Sequence, residues 1–125
     1  MGLDVHIYMV RNRKQILEDD FYDKCHTGWV KDKETGEIDF TQPSIVYYAR
    51  KFWDLYEPVA HHFHLDNGEF SEPLSREDIE FMIDIATHHP DYWNSFDSVP
   101  TLCEILYHYD EIKDAGMILL FEGDY

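Results

Sequence analysis

Basic residues are scarce in this chain of 125 residues, where ten lysines and arginines stand against 26 aspartates and glutamates and give a formal net charge of −16. Affinity for a phosphate backbone depends on clustered lysine and arginine side chains, so this balance argues against a surface that binds nucleic acid or an anionic membrane. A strong negative charge is typical of a very soluble protein or of one whose partner is basic. We therefore expect a basic protein partner and no direct contact with nucleic acid.

Long hydrophobic runs and paired cysteines are lacking as well. No stretch approaches the run of about 18 apolar residues that a membrane span needs, so we expect no membrane association. Cys25 and Cys103 are isolated and form no C-x-x-C motif, which is typical of reduced thiols in a cytoplasmic protein. Residues 1–10 carry Asp4 and His6 within an alternating pattern, which indicates a strand and not a signal peptide. We therefore expect a cytoplasmic location.

Apolar and aromatic residues are plentiful, at 44% and 16% of the chain. This content excludes an intrinsically disordered chain. A chain of this length buries roughly two-thirds of the surface that its unfolded form exposes, which is enough for one core. We predict a single domain over residues 1–125.

Two strands and a hairpin are predicted from the apolar pattern. Residues 3–10 alternate between apolar and polar side chains, which indicates a half-buried first strand. Two short strand-like runs flank a glycine-containing turn at 33–36 and predict a hairpin over residues 29–40. The continuous apolar run 117–121 predicts a strand buried on both faces, central in its sheet and beside the first strand.

Three helices are predicted between the hairpin and the last strand. From residue 44 the apolar positions follow helical spacing for about five turns, with Pro58 expected to kink the helix or to divide it near Glu57. The second helix follows a capping box formed by Ser75 and Asp78, and Pro90 ends it. The third helix follows Pro100 and Thr101 and ends at Gly116. The fold class is therefore α+β, a small mixed sheet packed with three helices.

The negative charge is concentrated in the second half of the chain. Residues 1–60 hold eight basic and eleven acidic residues, whereas residues 61–125 hold two basic and fifteen acidic ones, so their net charges are −3 and −13. The faces of the second and third helices that lie opposite the buried stripes carry acids around aromatic residues. This acidic helix surface consists of Glu77, Phe81, Asp84, Glu104, Tyr107, Glu111 and Asp114.

Carboxylates around an outward aromatic suit a protein-binding surface, because the aromatic anchors the partner and the charges steer it. A specific form is mimicry of nucleic acid, in which the carboxylates stand in for phosphates. The alternative is a solvated acidic face with Phe81 covered by residues 11–44. No nucleophile-elbow, phosphate-loop or dinucleotide motif occurs, so we expect a non-enzymatic protein without a cofactor.

Two other clusters offer alternative functions. On a continuous helix, Glu57, His61 and His64 share one face and could hold part of a metal site, as in a metal-dependent hydrolase; the alternative is a set of surface histidines. Arg50 and Lys51 form a basic pair amid aromatic residues that could hold an anionic, nucleotide-like ligand. Tyr48, with Asp4 and His6 of the first strand, would complete this ligand site. Alternatively, Arg50 pairs with Asp54 on the helix and Lys51 extends into solvent.

The segment Met1-Gly2-Leu3-Asp4 opening a strand, followed by Tyr48-Ala49-Arg50-Lys51 in a helix, resembles a family of small uncharacterised bacteriophage proteins. Members begin Gly-Leu-Asp-Met-Tyr and carry a Tyr-Trp-Arg-Lys-Ala-Asn helix, and the helix at 75–86 here falls where they have a comparable one. Ala49 replaces the family's tryptophan. The resemblance implies a phage accessory protein in the host cytoplasm that disables a host defence, by binding a host protein or by sequestering a signalling nucleotide.

Overall fold

A mixed four-stranded sheet forms the centre of the molecule. The computed structural model describes residues 2–89 and 98–125. The strands are Asp4–Val10 (β1), His26–Thr27 (β2), Ser44–Arg50 (β3) and Ile118–Asp124 (β4), in the spatial order β2-β3-β1-β4. β1 pairs antiparallel with both β3 and β4, and β2 runs parallel to β3. The predicted α+β class is confirmed.

Six helices accompany the sheet in the two described ranges. Two short ones, Arg13–Ile16 (α1) and Phe21–Lys24 (α2), lie between β1 and β2. The others follow β3 and are Trp53–Phe63 (α3), Arg76–His88 (α4), Ser98–Tyr107 (α5) and Tyr109–Asp114 (α6). The third predicted helix is therefore two helices, which meet at His108. Nowhere in the described ranges does a helix have the length and apolarity to cross a membrane.

The alternation predicted for the first strand is confirmed. Its odd-numbered residues from Leu3 to Met9 are fully buried and pack in the main core against helices α3, α4 and α5. On the opposite face, Tyr8 and Val10 are buried by a smaller cluster that includes Phe21 and Leu120. This second face is thus covered at the Val10 end, whereas Asp4 and His6 at the other end are half-buried.

The prediction of a helix from residue 44 is wrong for its first part, because residues 44–50 form β3. Tyr8 faces Ile45 while Ile7 faces Tyr47, so Val46 is an extra residue in a β-bulge. The extra residue interrupts the alternation of period two, and the remaining apolar positions then mimic helical spacing. The helix begins only at Trp53 and continues through Pro58 as one element. Pro58 therefore does not divide α3 near Glu57.

The predicted hairpin at 29–40 turns back on itself but supplies no strand to the sheet. A single antiparallel bridge joins Lys31 to Ile38, and the amide of Asp39 donates to the carbonyl of Val30 at 2.7 Å. The sheet that was predicted to include this hairpin is completed instead by β3 and the short β2. The sheet order therefore depends on residues 44–50, which the sequence predicted to be helical.

The last strand lies beside β1 as predicted, but at the edge of the sheet and not at its centre. Residues 68–74 run along its outer side, where the amides of three residues donate to β4 carbonyls at 2.8 Å each; the donors are Gly68, Ser71 and Leu74. The outer edge of β4 is therefore covered by residues 68–74 and is not left open to another chain.

The start of α4 and the end of α6 agree with the predictions from the sequence. The Ser75 Oγ accepts from the amide of Asp78 at 3.1 Å, while the Asp78 carboxylate accepts from the amide of Ser75 at 2.8 Å, which is the predicted capping box. α4 ends at His88, and Pro90 lies outside the described residues. Gly116 follows α6 with a φ of 79°, as its predicted place at the helix end requires.

Candidate functional site

The acidic helix surface is exposed on α4. Glu77 and Asp84 are exposed, and the side chain of Phe81 is 41% exposed. The ring of Phe81 lies 6.0 Å from the ring of His62 on α3. Phe81 is therefore a large apolar side chain that is exposed to solvent, and its own helix also exposes carboxylates.

The same surface is exposed on α5 and α6. Tyr107 is 81% exposed, the largest exposure among the large hydrophobic residues of the described ranges. Three carboxylates of these helices are exposed as well, and they belong to Glu104, Glu111 and Asp114. Both predicted aromatic anchors thus stand at the surface with acids on their own helices.

Some of the acids on these helices have an arginine or histidine partner. Arg76 binds Asp110 at 2.7 Å, and His88 lies 3.6 Å from Asp84. His108 hydrogen-bonds Glu111 at 3.0 Å. In contrast, no ion pair with a described residue is formed by the carboxylates of Glu77, Glu104 and Asp114. Their charge is available to a partner.

The predicted ligand residues of the first and third strands meet on one face of the sheet. The Tyr48 hydroxyl donates to Asp4 Oδ1 at 2.6 Å, and the rings of Tyr48 and His6 lie 5.0 Å apart. Arg50 is the cross-strand partner of Asp4. Burial and this hydrogen bond to Asp4 raise the pKa of Tyr48. The strand pairing of β1 with β3, and not a helix, brings these residues together.

Lys51 follows β3 in a left-handed conformation with a φ of 57°, and its amide donates to the carbonyl of Leu3 at 2.7 Å. Both Lys51 and Arg50 are exposed. The basic pair therefore lies where the chain leaves the sheet for α3, and the predicted i,i+4 relation of Arg50 to Asp54 on one helix does not exist.

Glu122 also belongs to this sheet face, although no sequence pattern indicated it as a site residue. It is 8% exposed, and its Oε1 lies 3.0 Å from Nδ1 of His6. Asp124, which lies on β4 with Glu122, is the cross-strand partner of Asp4 on β1. The predicted strand ended at residue 121, so the polar residues that continue β4 were not assigned to it. Three carboxylates thus share the face with Arg50, and an anionic ligand would have to approach all of them.

The candidate metal ligands are exposed on or next to α3. The ring centroids of His61 and His64 are 6.4 Å apart, and His64 is the left-handed C-cap residue with a φ of 57°. His64 therefore leaves the helical face that it was predicted to share with Glu57. Residues 2–89 and 98–125 contain no group of three histidine, cysteine or acidic side chains placed to hold a metal ion.

Comparison with known proteins gave no match. The chain matches no protein-family model, no curated protein and no solved structure. The resemblance to the bacteriophage family rests on the sequence residues alone, and Tyr48 to Arg50 lie in a strand where that family carries its helix.

A groove of about 270 Å³ lies beside β3, and we call it the β3 groove. It brings Tyr48 of the predicted ligand set together with Glu104 of the acidic helix surface. β2 pairs with β3 only at Ser44 and Ile45 before the chain turns away at Gly28. The groove is lined by Thr27, Gly28, Trp29, Ile45, Val46, Tyr47, Tyr48, Thr101 and Glu104. It was missed because residues 44–50 were predicted to be helical.

Proposed function

We propose that this protein is a binding protein for a basic protein partner. The observation that carries the proposal is the exposure of Phe81 and Tyr107 on α4 and α5, helices that together with α6 also expose seven carboxylates. Exposed aromatic side chains contribute most to binding free energy when a partner covers them, and surrounding charges accelerate and select the encounter. A surface of this composition fits a partner that presents lysine and arginine around an apolar patch.

The distribution of charge supports the same proposal. Thirteen of the sixteen net negative charges come from residues 61–125, which include all of α4, α5 and α6. Self-repulsion of this size destabilises a folded domain unless a partner of opposite charge relieves it. The finer form of the proposal is an inhibitor that covers a host defence or nucleic-acid-binding protein, with carboxylates in the place of phosphates.

The test begins with native mass spectrometry of the protein purified gently from cells, which identifies a co-purifying protein. Binding is then measured for a variant with Glu77, Asp84, Glu111 and Asp114 changed to lysine. We expect binding to be lost while the circular dichroism spectrum and the Tm are retained.

A matched control carries the same change of charge outside the acidic helix surface. Its four reversals replace exposed acids of the first half of the chain, Glu18, Asp19, Glu34 and Glu37. The control should retain most of the affinity. Unchanged binding by the helix variant, or an equal loss in both variants, contradicts the proposal for this surface.

A second candidate function is the binding of an anionic, nucleotide-like molecule on the sheet face. It is favoured by the adjacent rings of His6 and Tyr48, with Arg50 opposite Asp4 on the neighbouring strand. Calorimetry against linear and cyclic nucleotides tests it, with Arg50→Ala as the variant that should lose the heat of binding. Absence of heat across the series argues against this function and leaves the protein-binding proposal in place.

A further inference from the structure

We propose that the β3 groove receives an extended, basic segment of the partner protein, which adds a strand to the sheet beside β3. This inference rests on the proposed function, because it names the part of the basic partner that is recognised and where. Strand addition combines main-chain hydrogen bonds with contacts to alternate side chains. The following observations carry it.

The backbone of β3 is directed towards the groove at Tyr48. The amide of Lys51 donates to the carbonyl of Leu3, so this N–H faces β1, as do the backbone groups of Ala49 two residues earlier. Successive residues of a strand direct their backbone groups to opposite sides. The N–H and C=O of Tyr48 therefore face away from β1, and no described residue pairs with them. They are available to a new strand.

Among residues 2–89 and 98–125, no strand continues beyond the short β2 to pair with β3 at Tyr48. The amide of Gly28 donates to the carbonyl of Ile45 at 2.8 Å, which is the last backbone hydrogen bond from this segment to β3 among the described residues. Gly28 then adopts a φ of 82°, a conformation that suits glycine, and the chain departs. The Ser44 hydroxyl donates to the carbonyl of Gly28 and fixes this exit. An incoming segment would continue where β2 stops.

The wall of the groove is formed in advance by packed aromatic rings. Trp29 lies 5.9 Å from Phe40 and 5.3 Å from His108, measured between ring centroids. Tyr48 is held by its hydrogen bond to Asp4. Because both side chains are already positioned, a bound segment would order few groups of the groove, which lowers the entropic cost of binding.

The side chains of the groove select a basic segment with alternating apolar residues. Among the nine described residues that line it, Glu104 alone carries a charge, and its carboxylate is exposed. Side chains of a strand beside β3 point alternately towards α5, where Glu104 lies, and towards Ile45 and Tyr48 on the other face. Lysine or arginine fits the first set of positions and an apolar side chain fits the second.

The probe is a soluble synthetic peptide of about eight residues in which lysine and valine alternate, since strands of this length are common in sheets. Binding is followed in ¹⁵N-labelled protein by NMR. We expect saturable shifts at the amides of residues 46–48 and at the indole N–H of Trp29. The same peptide with alternate backbone nitrogens methylated keeps its charge but loses its donors, and it should bind at least about tenfold more weakly.

Two protein variants with the same change of charge complete the test. Glu104→Lys should weaken binding of the lysine–valine peptide by about tenfold, because it reverses the only charge among the described residues that line the groove. Glu18→Lys lies on an exposed segment outside the groove and should leave the affinity unchanged. A glutamate–valine peptide should bind Glu104→Lys better than it binds the wild-type protein.

Three outcomes overturn the inference. Equal affinity of the methylated peptide shows that no strand is added, and shifts confined to α4 and α6 place the basic segment on the acidic helix surface; both results leave the proposed function standing. The absence of any shift with the lysine–valine peptide contradicts the groove site, and the proposed function is then decided by the separate test with the four helix reversals.

Discussion

Gly123 of β4 lies directly beneath the ring of Tyr56 in α3. A Cβ atom on Gly123 would lie 2.1 Å from Cε1 and 2.4 Å from Cδ1 of that ring. Tyr56 is buried, stacks on Phe121 with centroids 6.0 Å apart and contacts the ring of Trp53 at 5.9 Å. The ring has little space into which it can withdraw, so the approach of α3 to the sheet at this point requires glycine.

The change Gly123→Ala should lower the free energy of unfolding by about 1–3 kcal/mol, the usual cost of inserting a group into a well-packed core. Urea unfolding monitored by fluorescence measures the change. Gly2→Ala is the matched control, because no atom lies within 4 Å of the Cβ that it adds. Equal stability of the two variants would show that Tyr56 moves aside at no cost.

The buried hydroxyls of Tyr56 and Tyr47 should respond oppositely to removal. Tyr47 shares a hydrogen bond of 2.8 Å with Ser98 Oγ, whereas the Tyr56 hydroxyl has no hydrogen-bond partner among the described residues. We expect Tyr47→Phe to cost about 1 kcal/mol of unfolding free energy and Tyr56→Phe to cost nothing or to stabilise. Urea unfolding of both variants tests this, and a larger loss for Tyr56→Phe would reveal a partner for its hydroxyl.

Alkaline pH should destabilise the fold through Tyr56. Burial, with a smaller contribution from the nearby Tyr125, raises the pKa of Tyr56 from its ordinary value of 10.0 to about 12. Because the folded pKa exceeds the unfolded one, the unfolded state loses the proton first, and stability falls as the pH rises from 10 to about 12. Urea unfolding across this window should show a smaller decline for Tyr56→Phe than for the wild-type protein. Parallel declines would contradict the assignment.

The capping box of α4 should contribute about 1 kcal/mol to the free energy of unfolding. Ser75→Ala tests this, since it removes the acceptor of the Asp78 amide. Thr87→Ala serves as the control in the same helix. The exposed Thr87 hydroxyl donates to the carbonyl of Ile83 within α4, and its removal leaves no buried group without a partner. Thermal unfolding by circular dichroism should show a lower Tm for Ser75→Ala alone. A Tm unchanged by Ser75→Ala would mean that the helix start is held by other contacts.

Arg13 should hold the segment that covers the edge of β4. Its guanidinium donates to the carbonyl of Ser71 at 2.7 Å and to that of Phe70 at 3.2 Å. Arg13→Ala should therefore accelerate hydrogen exchange at the amide of Ser71 by several-fold, which corresponds to a loss of about 1 kcal/mol in local stability. Arg11→Ala changes the same charge and should leave this exchange rate unaltered. Equal exchange in both variants would assign the segment's stability to its β4 contacts.

Local signals in the sequence predicted several parts of the fold correctly. Strict alternation identified β1, a serine three residues before an aspartate identified the start of α4, and Gly116 identified the end of α6. Each of these depends on neighbours within about one or two helical turns, where residue type and backbone conformation are directly linked. Such signals are independent of the rest of the molecule.

The errors arose where long-range pairing decided the structure. Residues 44–50 contain β-branched and aromatic residues suited to a strand, but the bulge at Val46 disguised their alternation. Glu122 meets His6 across 116 positions of sequence, and no local pattern reports such a contact. The β3 groove depends on both the strand and its short neighbour. It therefore was not visible before the sheet order was known.

The position of β1 in the sheet also determines when the molecule is able to fold. β1 is synthesised before the other three strands of this sheet, yet one of its two neighbours, β4, consists of residues 118–124. A nascent chain must carry the apolar side chains of β1 without that neighbour until residues 118–124 have left the ribosome. Contacts of such high sequence separation slow folding, so the sheet is completed after translation of these residues and not progressively during it.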